Sequence, residues 1–385
     1  MWSCGIRSGC RAGKPDAAGG RTHGSDLNVF VIERAAWRET EMTMTIDAVQ
    51  ESVKAENETT LEKDGTMSLL VQSKTEIARD IFLFDLVSPN EANAVLPPFT
   101  AGSHLLVQTP NGLARRYSLC NSPSERNRYV IAVKRDAAGG GGSVSLVDGV
   151  QAGDRLHVSA PLNYFPLAAE ASSHLLIAGG IGITPALAML RHLNEQNADF
   201  RLIYCSRSPE TTAFLDELSA PEFAGRVRVH HDYGDRERSL DIAPLVAERN
   251  GETHIYCCGP RPLMEAVRAQ TKHWPHAAVH FEDFGTSAAT SPVGGVPGEQ
   301  EFTVKLARSG KVVAVPSGVS ILAALREEGM SLPSSCESGT CGACRTGLLE
   351  GEAEHRDFVL DDDEMESEIM ICVSRAKSGQ LVLDL

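Results

Sequence analysis

The sequence predicts a multidomain protein in which an antiparallel β-barrel, an α/β doubly wound domain and a small β-grasp domain follow one another. The chain has 385 residues, which is enough for about three domains of roughly 100–150 residues each. Its apolar pattern changes near residue 171 from successive short strands to alternating strands and helices. A Gly/Pro-rich stretch at 286–299 then reads as a linker. We therefore expect folded domains at 66–166, 171–285 and 300–385.

Composition and charge restrict the partners. The 36 basic and 51 acidic residues give a formal net charge of -15, which disfavours nucleic acid and anionic membranes as partners. No apolar run approaches the roughly 18–20 residues of a membrane span. Ten cysteines in a chain of this length indicate a reducing compartment rather than a disulfide framework. We expect a cytoplasmic monomer, because no feature of the sequence requires a second copy.

Residues 1–65 show neither a period of 2 nor one of 3.6 and are rich in Gly, Arg, Thr and Glu. We expect a mostly disordered extension. The apolar run at 29–32 is too short for the core of a signal peptide. We also hypothesise that translation begins at Met42 or Met44, because nothing before them has the pattern of a folded segment.

The barrel is expected from short segments rich in Val, Ile, Leu and Phe that are separated by Pro, Gly and Asn turns. The predicted strands are Ser68–Gln72, Ile81–Val87, Ser103–Thr109, Arg128–Lys134 and Arg155–Ser159. One further stretch is basic and aromatic, and reads Arg115-Arg116-Tyr117-Ser118-Leu119. Alone it would be an ordinary edge strand. Downstream, Gly142-Ser143 opens a short helical stretch and offers N–H groups and a hydroxyl to a phosphate.

These motifs resemble the flavin-binding barrels of the ferredoxin reductase superfamily, which carry Arg-x-Tyr-Ser. The resemblance implies that the Tyr117 ring lies on the isoalloxazine, that the Ser118 hydroxyl reaches its polar edge and that Arg115 pairs with phosphate. The flavin-binding residues expected on this basis are Arg115, Arg116, Tyr117, Ser118, Val133, Lys134, Gly142, Ser143 and Val144.

Residues 171–285 alternate apolar runs with helical stretches, which predicts a parallel sheet with helices on both faces. The predicted strands are His174–Ala178, Phe200–Cys205, Val227–His231, Thr253–Cys257 and Ala278–Phe281. The predicted helices are Pro185–Glu195, Thr211–Leu218, Asp241–Arg249 and Arg261–Lys272.

The first of these strands runs into the glycine-rich loop 179–185. Thr184 can cap the helix that follows and Pro185 suits its first turn, which leaves free amides for a pyrophosphate. The strict dinucleotide fingerprint is absent, because Pro185 stands at its third glycine and no acid ends the second strand. The loop does resemble the Gly-Gly-x-Gly-x-Thr-Pro of the same reductase superfamily, as Cys257-Cys258-Gly259-Pro260 resembles its Cys-Gly-Pro.

That resemblance implies a nicotinamide near Cys258, and a flavin approached by Phe284 from the end of the domain. Cys257 is interpreted as a buried strand residue. The residues expected at the reacting centre are Ser118, Cys258 and Phe284. Those expected to bind the dinucleotide are Gly179, Gly180, Gly182, Ile183, Thr184, Pro185, Ser206, Arg207, Cys258, Gly259 and Pro260. Ser206-Arg207-Ser208 could receive a 2′-phosphate, since no carboxylate stands there, but similar relatives use NADH, which we expect here.

The last segment places three cysteines at C-x4-C-x2-C spacing, with a fourth downstream. This is the ligand pattern of a plant-type 2Fe-2S cluster. A structural zinc site or a disulfide pair would be the alternatives, but zinc motifs usually repeat two short knuckles and only one exists here. The expected ligands are Cys336, Cys341, Cys344 and Cys372. A β-grasp around them is predicted from Phe302–Leu306, Lys311–Val315, a helix at Val319–Glu328 and a closing strand at Leu381–Leu383.

The domain order resembles the phthalate dioxygenase reductase family over about residues 66–385. The resemblance implies FMN, NADH and a 2Fe-2S cluster. A nicotinamide gives up two electrons at once and the cluster accepts one, so a flavin must divide the pair. It also implies a Rieske-type oxygenase as partner, in an aromatic-ring dioxygenase or O-demethylase system. A haem monooxygenase is the alternative acceptor. The acidic run 361–368 is either a docking face for that partner or a solvated loop.

Overall fold

The structure is a computed structural model, and it describes residues 65–90, 94–284 and 299–385. The expectations for residues 1–64, including a start at Met42 or Met44, and for the linker at 286–298 lie outside the described residues. No helix within the described ranges combines the length and the apolar character that crossing a membrane requires.

The first described domain is an antiparallel barrel. Its strands are β1 (Thr66–Ala78), β2 (Ile81–Val87), β3 (Ser103–Gln108), β4 (Ala114–Ser118), β5 (Arg128–Lys134), β6 (Arg155–Ser159) and β7 (Leu162–Asn163). They lie in the order β4-β3-β6-β1-β2-β5, with β7 beside β3. A bridge from Leu119 to Ile131 joins the end of β4 to β5, so the sheet closes and its edges are covered.

Strand β1 is longer than predicted. Its second half is mostly polar and exposed, and therefore lacks the apolar pattern on which the expected range Ser68–Gln72 was based. It stays extended because it pairs along β2 in a hairpin with two irregular steps. Helix α1 (Gly142–Gly149) follows β5.

The second domain is a parallel sheet, as expected. Its strands are β8 (Ser173–Gly179), β9 (Asp199–Ser206), β10 (Val227–His231), β11 (Thr253–Cys258) and β12 (Val279–Glu282). They lie in the order β10-β9-β8-β11-β12, which makes the boundary between β8 and β11 the topological switch point. Ligands of doubly wound sheets bind at the carboxyl ends of strands at such a point.

Two predicted helices of this domain are wrong in extent. The helices are α2 (Ile183–Glu195), α3 (Leu215–Leu218), α4 (Ala243–Val246) and α5 (Arg261–Gln270). The expected helix Thr211–Leu218 is interrupted because Phe214 has a left-handed backbone with φ of 61°. The expected helix Asp241–Arg249 begins late because the Asp241 carboxylate accepts a hydrogen bond from the N–H of Ala243 at 3.1 Å, as a turn does.

The third domain has the β-grasp arrangement. Its elements are β13 (Phe302–Leu306), β14 (Val312–Val315), α6 (Ile321–Glu327), β15 (Arg345–Glu350), β16 (Ala353–Glu354), β17 (Glu368–Met370), β18 (Arg375–Ala376) and β19 (Gln380–Leu383). The hairpin β13–β14 is antiparallel, whereas β13 and the closing strand β19 are parallel. The helix begins two residues later than predicted, because the Ser320 hydroxyl caps it by accepting from the Ala323 N–H at 3.1 Å.

Candidate functional site

The four cysteines of the last domain lie as two pairs, Cys336 with Cys341 and Cys344 with Cys372. A 2Fe-2S cluster with four cysteine ligands has two on each iron, so the donor set fits that cluster. A single tetrahedral zinc ion would need all its ligands around one point, and no group of three donors among the described residues could hold a metal ion. The eight described cysteines are free thiols.

Backbone amides of the loop point at the sulfur atoms. The N–H groups of Ser338 and Thr340 donate to the Cys336 sulfur, each at 3.4 Å, and the N–H of Cys336 donates to the Cys341 sulfur at 3.3 Å. The Cys341 thiol and these amides hold the pKa of Cys336 well below its usual range. The thiolate is the form that binds metal, so the loop is already arranged for ligation.

Gly339 is required by the space around this loop. Its φ is 76°, and a Cβ there would lie 2.7 Å from Val373 Cγ2 and 3.1 Å from Asp357 Cα. Its carbonyl also accepts a hydrogen bond from the Phe358 N–H at 2.9 Å. The loop is therefore pressed against residues 357–358.

The Arg115 side chain of β4 lies against the first turn of α1 in the barrel. A Cβ added to Gly142 would lie 2.8 Å from Arg115 Cγ and 3.1 Å from its Nε. The first turn of α1 carries no acidic residue, and its N-cap, Gly141, makes no side-chain hydrogen bond. The Arg115 side chain and the first amides of α1 thus lie beside the same space, which suits a flavin phosphate.

Several buried polar atoms next to this strand make no hydrogen bond within the described residues. They are the hydroxyl oxygen of Ser118, which is only 4% exposed, both ring nitrogens of His104, and Oε2 of Glu282. Because buried polar atoms are normally paired, these atoms fit the polar edge of a flavin. Burial raises the pKa of the neighbouring Tyr117 to about 12, so its phenol stays neutral.

The remaining predicted flavin contacts differ in exposure. Val133 lies in the barrel core, so only its backbone could meet a flavin, and Lys134 is exposed at the end of β5. Ser143 and Val144 are half-buried in the first turn of α1. The Arg116 guanidinium donates to the carbonyl oxygens of Ser335 and Cys336 in the last domain.

The two nucleotide motifs, far apart in sequence, meet at the switch point between β8 and β11. A Cβ on Gly182 would lie 2.3 Å from the Cys258 carbonyl oxygen, and one on Gly179 would lie 2.6 Å from Pro260 Cδ. Gly259 is equally close to the Gly179 backbone, at 2.9 Å from an added Cβ. Only glycines allow this approach, so the glycine-rich loop 179–185 and Cys258-Gly259-Pro260 come together at one place.

Thr184 does not cap the helix as predicted. It is buried inside α2, after Ile183, and its hydroxyl donates to the Ile181 carbonyl oxygen at 3.0 Å. A 3-10 turn at Gly180–Gly182 precedes the helix and takes the place of a side-chain cap. Pro185 does lie in the first turn, as expected.

Glu282 is the site residue that sequence reasoning missed. It ends β12, and burial raises its pKa to about 8, with nearby Cys336 raising it further and Arg116 opposing. Burial also raises the pKa of Cys258, and the Glu282 charge adds to that effect. An acid at the last position of an apolar strand was the available signal. Phe284, two residues on, is 41% exposed, and its approach to a flavin stays a prediction.

No acid ends β9, as expected, because the strand stops at Ser206. The first carboxylate after it, that of Glu210, lies four residues on and is exposed. The Ser208 hydroxyl donates to the Glu210 carboxylate and lowers its pKa. The Ser206 hydroxyl is buried and shares a 2.6 Å hydrogen bond with Thr212, while Arg207 is exposed. A carboxylate beside the ribose would accept its hydroxyls and repel a 2′-phosphate; that Glu210 takes this position is a prediction.

The β-grasp domain is joined to the nucleotide domain by a buried aromatic side chain. Phe358 is 5% exposed and belongs to the same apolar cluster as Phe281 and Met264 of that domain. Its ring centroid lies 4.9 Å from that of Phe281. Arg268 donates to the carbonyl oxygens of Asp357 and, at 2.9 Å, Leu360.

Family models of known proteins match three successive parts of the chain. Three family models match, described as an oxidoreductase FAD-binding domain at residues 68–166, an oxidoreductase NAD-binding domain at 176–269 and a 2Fe-2S iron-sulfur cluster binding domain at 304–377. The phthalate 4,5-dioxygenase oxygenase reductase subunit of Pseudomonas putida is 52% identical over 323 residues, which are 84% of this chain and 98% of that protein. The chain belongs to the phthalate dioxygenase reductase family.

Solved structures extend the comparison. A phthalate dioxygenase reductase has a TM-score of 0.63 and 52% identity, covering 85% of this chain and 100% of that one. An intact type IV self-sufficient cytochrome P450 monooxygenase has a TM-score of 0.61 and 35% identity, covering 83% of this chain and 41% of that one. The predicted fold class is confirmed. As a member of the phthalate dioxygenase reductase family, the chain is an NADH-dependent flavin iron-sulfur oxidoreductase, and the flavin is FMN in this family.

Proposed function

We propose that this chain is the reductase component of a Rieske-type aromatic-ring dioxygenase or O-demethylase, and that it takes hydride from NADH and delivers single electrons to the oxygenase. The observation that carries the proposal is the contact of Arg116, in the flavin motif of the barrel, with the carbonyl oxygens of Ser335 and Cys336 in the cluster-binding loop. Glu282, at the end of β12 in the nucleotide domain, lies near the same contact, since the charges of Cys336 and Arg116 act on its pKa in opposite directions. The candidate nucleotide, flavin and cluster sites therefore meet at one junction.

Each domain has one task in this proposal. In the nucleotide domain, residues 171–285, the loop Gly179–Gly182 and Cys258 hold the dinucleotide at the switch point. In the barrel, residues 66–166, Arg115 and the first amides of α1 would hold the flavin phosphate, and the buried Ser118 hydroxyl would be free to donate to the polar edge of the ring. Bound flavin accepts a hydride and releases its electrons one at a time.

Glu282 supplies a proton-holding group at the junction. Because burial raises its pKa to about 8, this carboxyl group takes up a proton far more readily than an exposed glutamate does. In its protonated form it would leave the junction without a buried negative charge that opposes electron arrival. In the β-grasp domain, residues 300–385, Cys336, Cys341, Cys344 and Cys372 would hold the cluster, which would supply a one-electron carrier.

The acidic run 361–368 is proposed as the docking face for a basic oxygenase surface. Part of the run is already paired within the chain: Lys272 pairs with Asp362 at 3.2 Å, and Arg345 pairs with Glu364 at 2.7 Å and with Glu368. Asp363 and Glu366 are exposed, and these two acids carry the proposed steering.

Reconstitution tests the proposal. The full-length protein, NADH and a purified Rieske-type aromatic-ring oxygenase should together oxidise the aromatic substrate, with about one NADH consumed per product, since each turnover takes two electrons. Omitting the oxygenase should abolish product. The proposal would be wrong if NADH were oxidised but no Rieske oxygenase gave product, while a haem monooxygenase domain turned over. A haem monooxygenase would then be the acceptor. The observation that supports this alternative acceptor is the likeness to the self-sufficient cytochrome P450 monooxygenase structure.

The proposed setting is the cytoplasm, and the proposed state is a monomer. The free thiols of the described cysteines support a reducing compartment. Light scattering at micromolar concentration should give a mass near 41.4 kDa, and a mass twice as large would reject the monomer.

A further inference from the structure

We propose that Arg116 is a positioning residue that fixes the cluster-binding loop against the flavin barrel and so sets the gap that each electron crosses. The inference rests on the proposed internal relay from flavin to cluster, and it is independent of which oxygenase accepts the electron. Arg116 was expected to bind flavin, but its contacts in the structure are with the other domain.

The guanidinium makes a forked contact with two consecutive carbonyl groups. One terminal nitrogen donates to the carbonyl oxygen of Cys336 and the other to that of Ser335. Two parallel bonds from one planar group fix orientation as well as distance. Because Cys336 is itself an expected cluster ligand, the contact acts directly on the backbone that carries the cluster.

Strand geometry makes this contact relevant to electron transfer. Arg116 and Ser118 are two residues apart on β4 and pair with Leu106 and His104 of β3. Side chains two apart on a strand project from the same face at a spacing of roughly 7 Å. The residue expected at the flavin edge and the residue holding the cluster loop therefore lie on one face of one short strand.

The loop is held from its other side by the nucleotide domain. The Gly339 carbonyl accepts from the Phe358 N–H at 2.9 Å, and Phe358 is anchored in the nucleotide-domain core. This second contact positions the whole β-grasp domain, and it reaches the loop at Gly339, after Cys336. Arg116 holds the loop at Ser335 and Cys336, so the loop is fixed between two domains.

The test uses full-length protein carrying flavin and cluster, with the variants Arg116→Met and Arg116→Lys. Met removes both charge and hydrogen bonds, whereas Lys keeps the charge but lacks the fork. The matched control is Arg135→Met, which breaks a surface pair of the same barrel, Arg135 with Asp148 at 2.8 Å. The measurements are hydrogen exchange of the peptide covering 334–341, the stopped-flow rate of flavin-to-cluster transfer after a pulse of NADH, and the cluster midpoint potential.

Both Arg116 variants should expose the loop, with amide protection at Ser338 and Thr340 falling on the order of tenfold, equivalent to about 1.4 kcal/mol. The transfer rate should fall several-fold, because electron tunnelling falls exponentially as the gap between flavin and cluster widens. The potential should fall in the Met variant only, since Lys retains the positive charge near Cys336. Arg135→Met should match wild type in all three measurements.

Two outcomes would overturn the proposal. If Arg116→Lys restores both transfer rate and protection, the side chain acts through its charge rather than its geometry. If Arg116→Met keeps wild-type protection and transfer rate, the loop is held without it. Failure to reduce any oxygenase would count against the proposed function alone, because these readouts are internal to the chain.

Discussion

Replacing Phe358 with Ala should weaken the nucleotide domain, although Phe358 belongs to the β-grasp domain in sequence. The ring is 5% exposed within a core cluster of the nucleotide domain. It lies 4.9 Å from the Phe281 ring, and the Arg261 and Arg268 guanidiniums lie 5.2 and 5.8 Å from its centroid. Truncating a buried Phe to Ala costs about 3–5 kcal/mol, which already includes the aromatic and cation–π contributions.

The lower figure of about 3 kcal/mol corresponds to roughly a hundredfold shift in equilibrium. Native-state hydrogen exchange should therefore show strands β11 and β12 opening about a hundredfold more often in Phe358→Ala. Phe302→Ala is the matched control, because Phe302 is 4% exposed but lies in the core of the β-grasp domain itself. It should destabilise that domain and leave β11 and β12 protected. Identical exchange patterns for the two variants would refute the assigned role of Phe358.

Three further predictions follow from single contacts. His280 is half-buried beside His254 at 3.0 Å, and burial lowers its pKa to about 4. The unfolded chain binds the proton more tightly, so stability present above about pH 6.5 is lost as the pH falls towards 4. Urea unfolding of His280→Gln should show a smaller loss over that window, and exposed His157→Gln should behave as wild type; equal losses would reject this. Glu210→Gln should raise the NADPH/NADH ratio of kcat/KM several-fold, with an unchanged ratio contradicting the role of that carboxylate. Asp363→Asn with Glu366→Gln should slow oxygenase reduction at low salt but not at high salt, and equal rates at low salt would reject the docking face.

Local spacing made much of the site predictable. The cysteines at 336, 341 and 344 are close in sequence because a small cluster needs its ligands on one short loop. The glycines of 179–182 are close in sequence because a single tight turn needs them. Each pattern therefore predicts its site directly. Strands such as Ile81–Val87 and Arg128–Lys134 have the predicted bounds, because their apolar residues form an alternating or continuous run in the sequence. The order of three domains then indicated the family.

Contacts between distant parts of the chain were not predictable. Arg116 reads as one more basic residue of a flavin motif until the fold brings Ser335, about 220 positions away, within reach of its guanidinium. Phe358 reads as a residue of its own domain for the same reason. The helix break at Phe214 comes from a left-handed backbone conformation. Gly or Pro would have indicated such a break, and neither stands at that position.

An anaerobic titration of the purified protein with NADH, followed by visible absorption and by mass identification of the released flavin, tests the proposed relay from NADH through flavin to cluster. We expect flavin bands and broad cluster bands that bleach together, with about three electrons taken up, two by the flavin and one by the cluster, and FMN released on denaturation. Bleaching of flavin bands alone, with no cluster bands and about two electrons taken up, would contradict the assignment of Cys336, Cys341, Cys344 and Cys372 and with it the relay to an oxygenase.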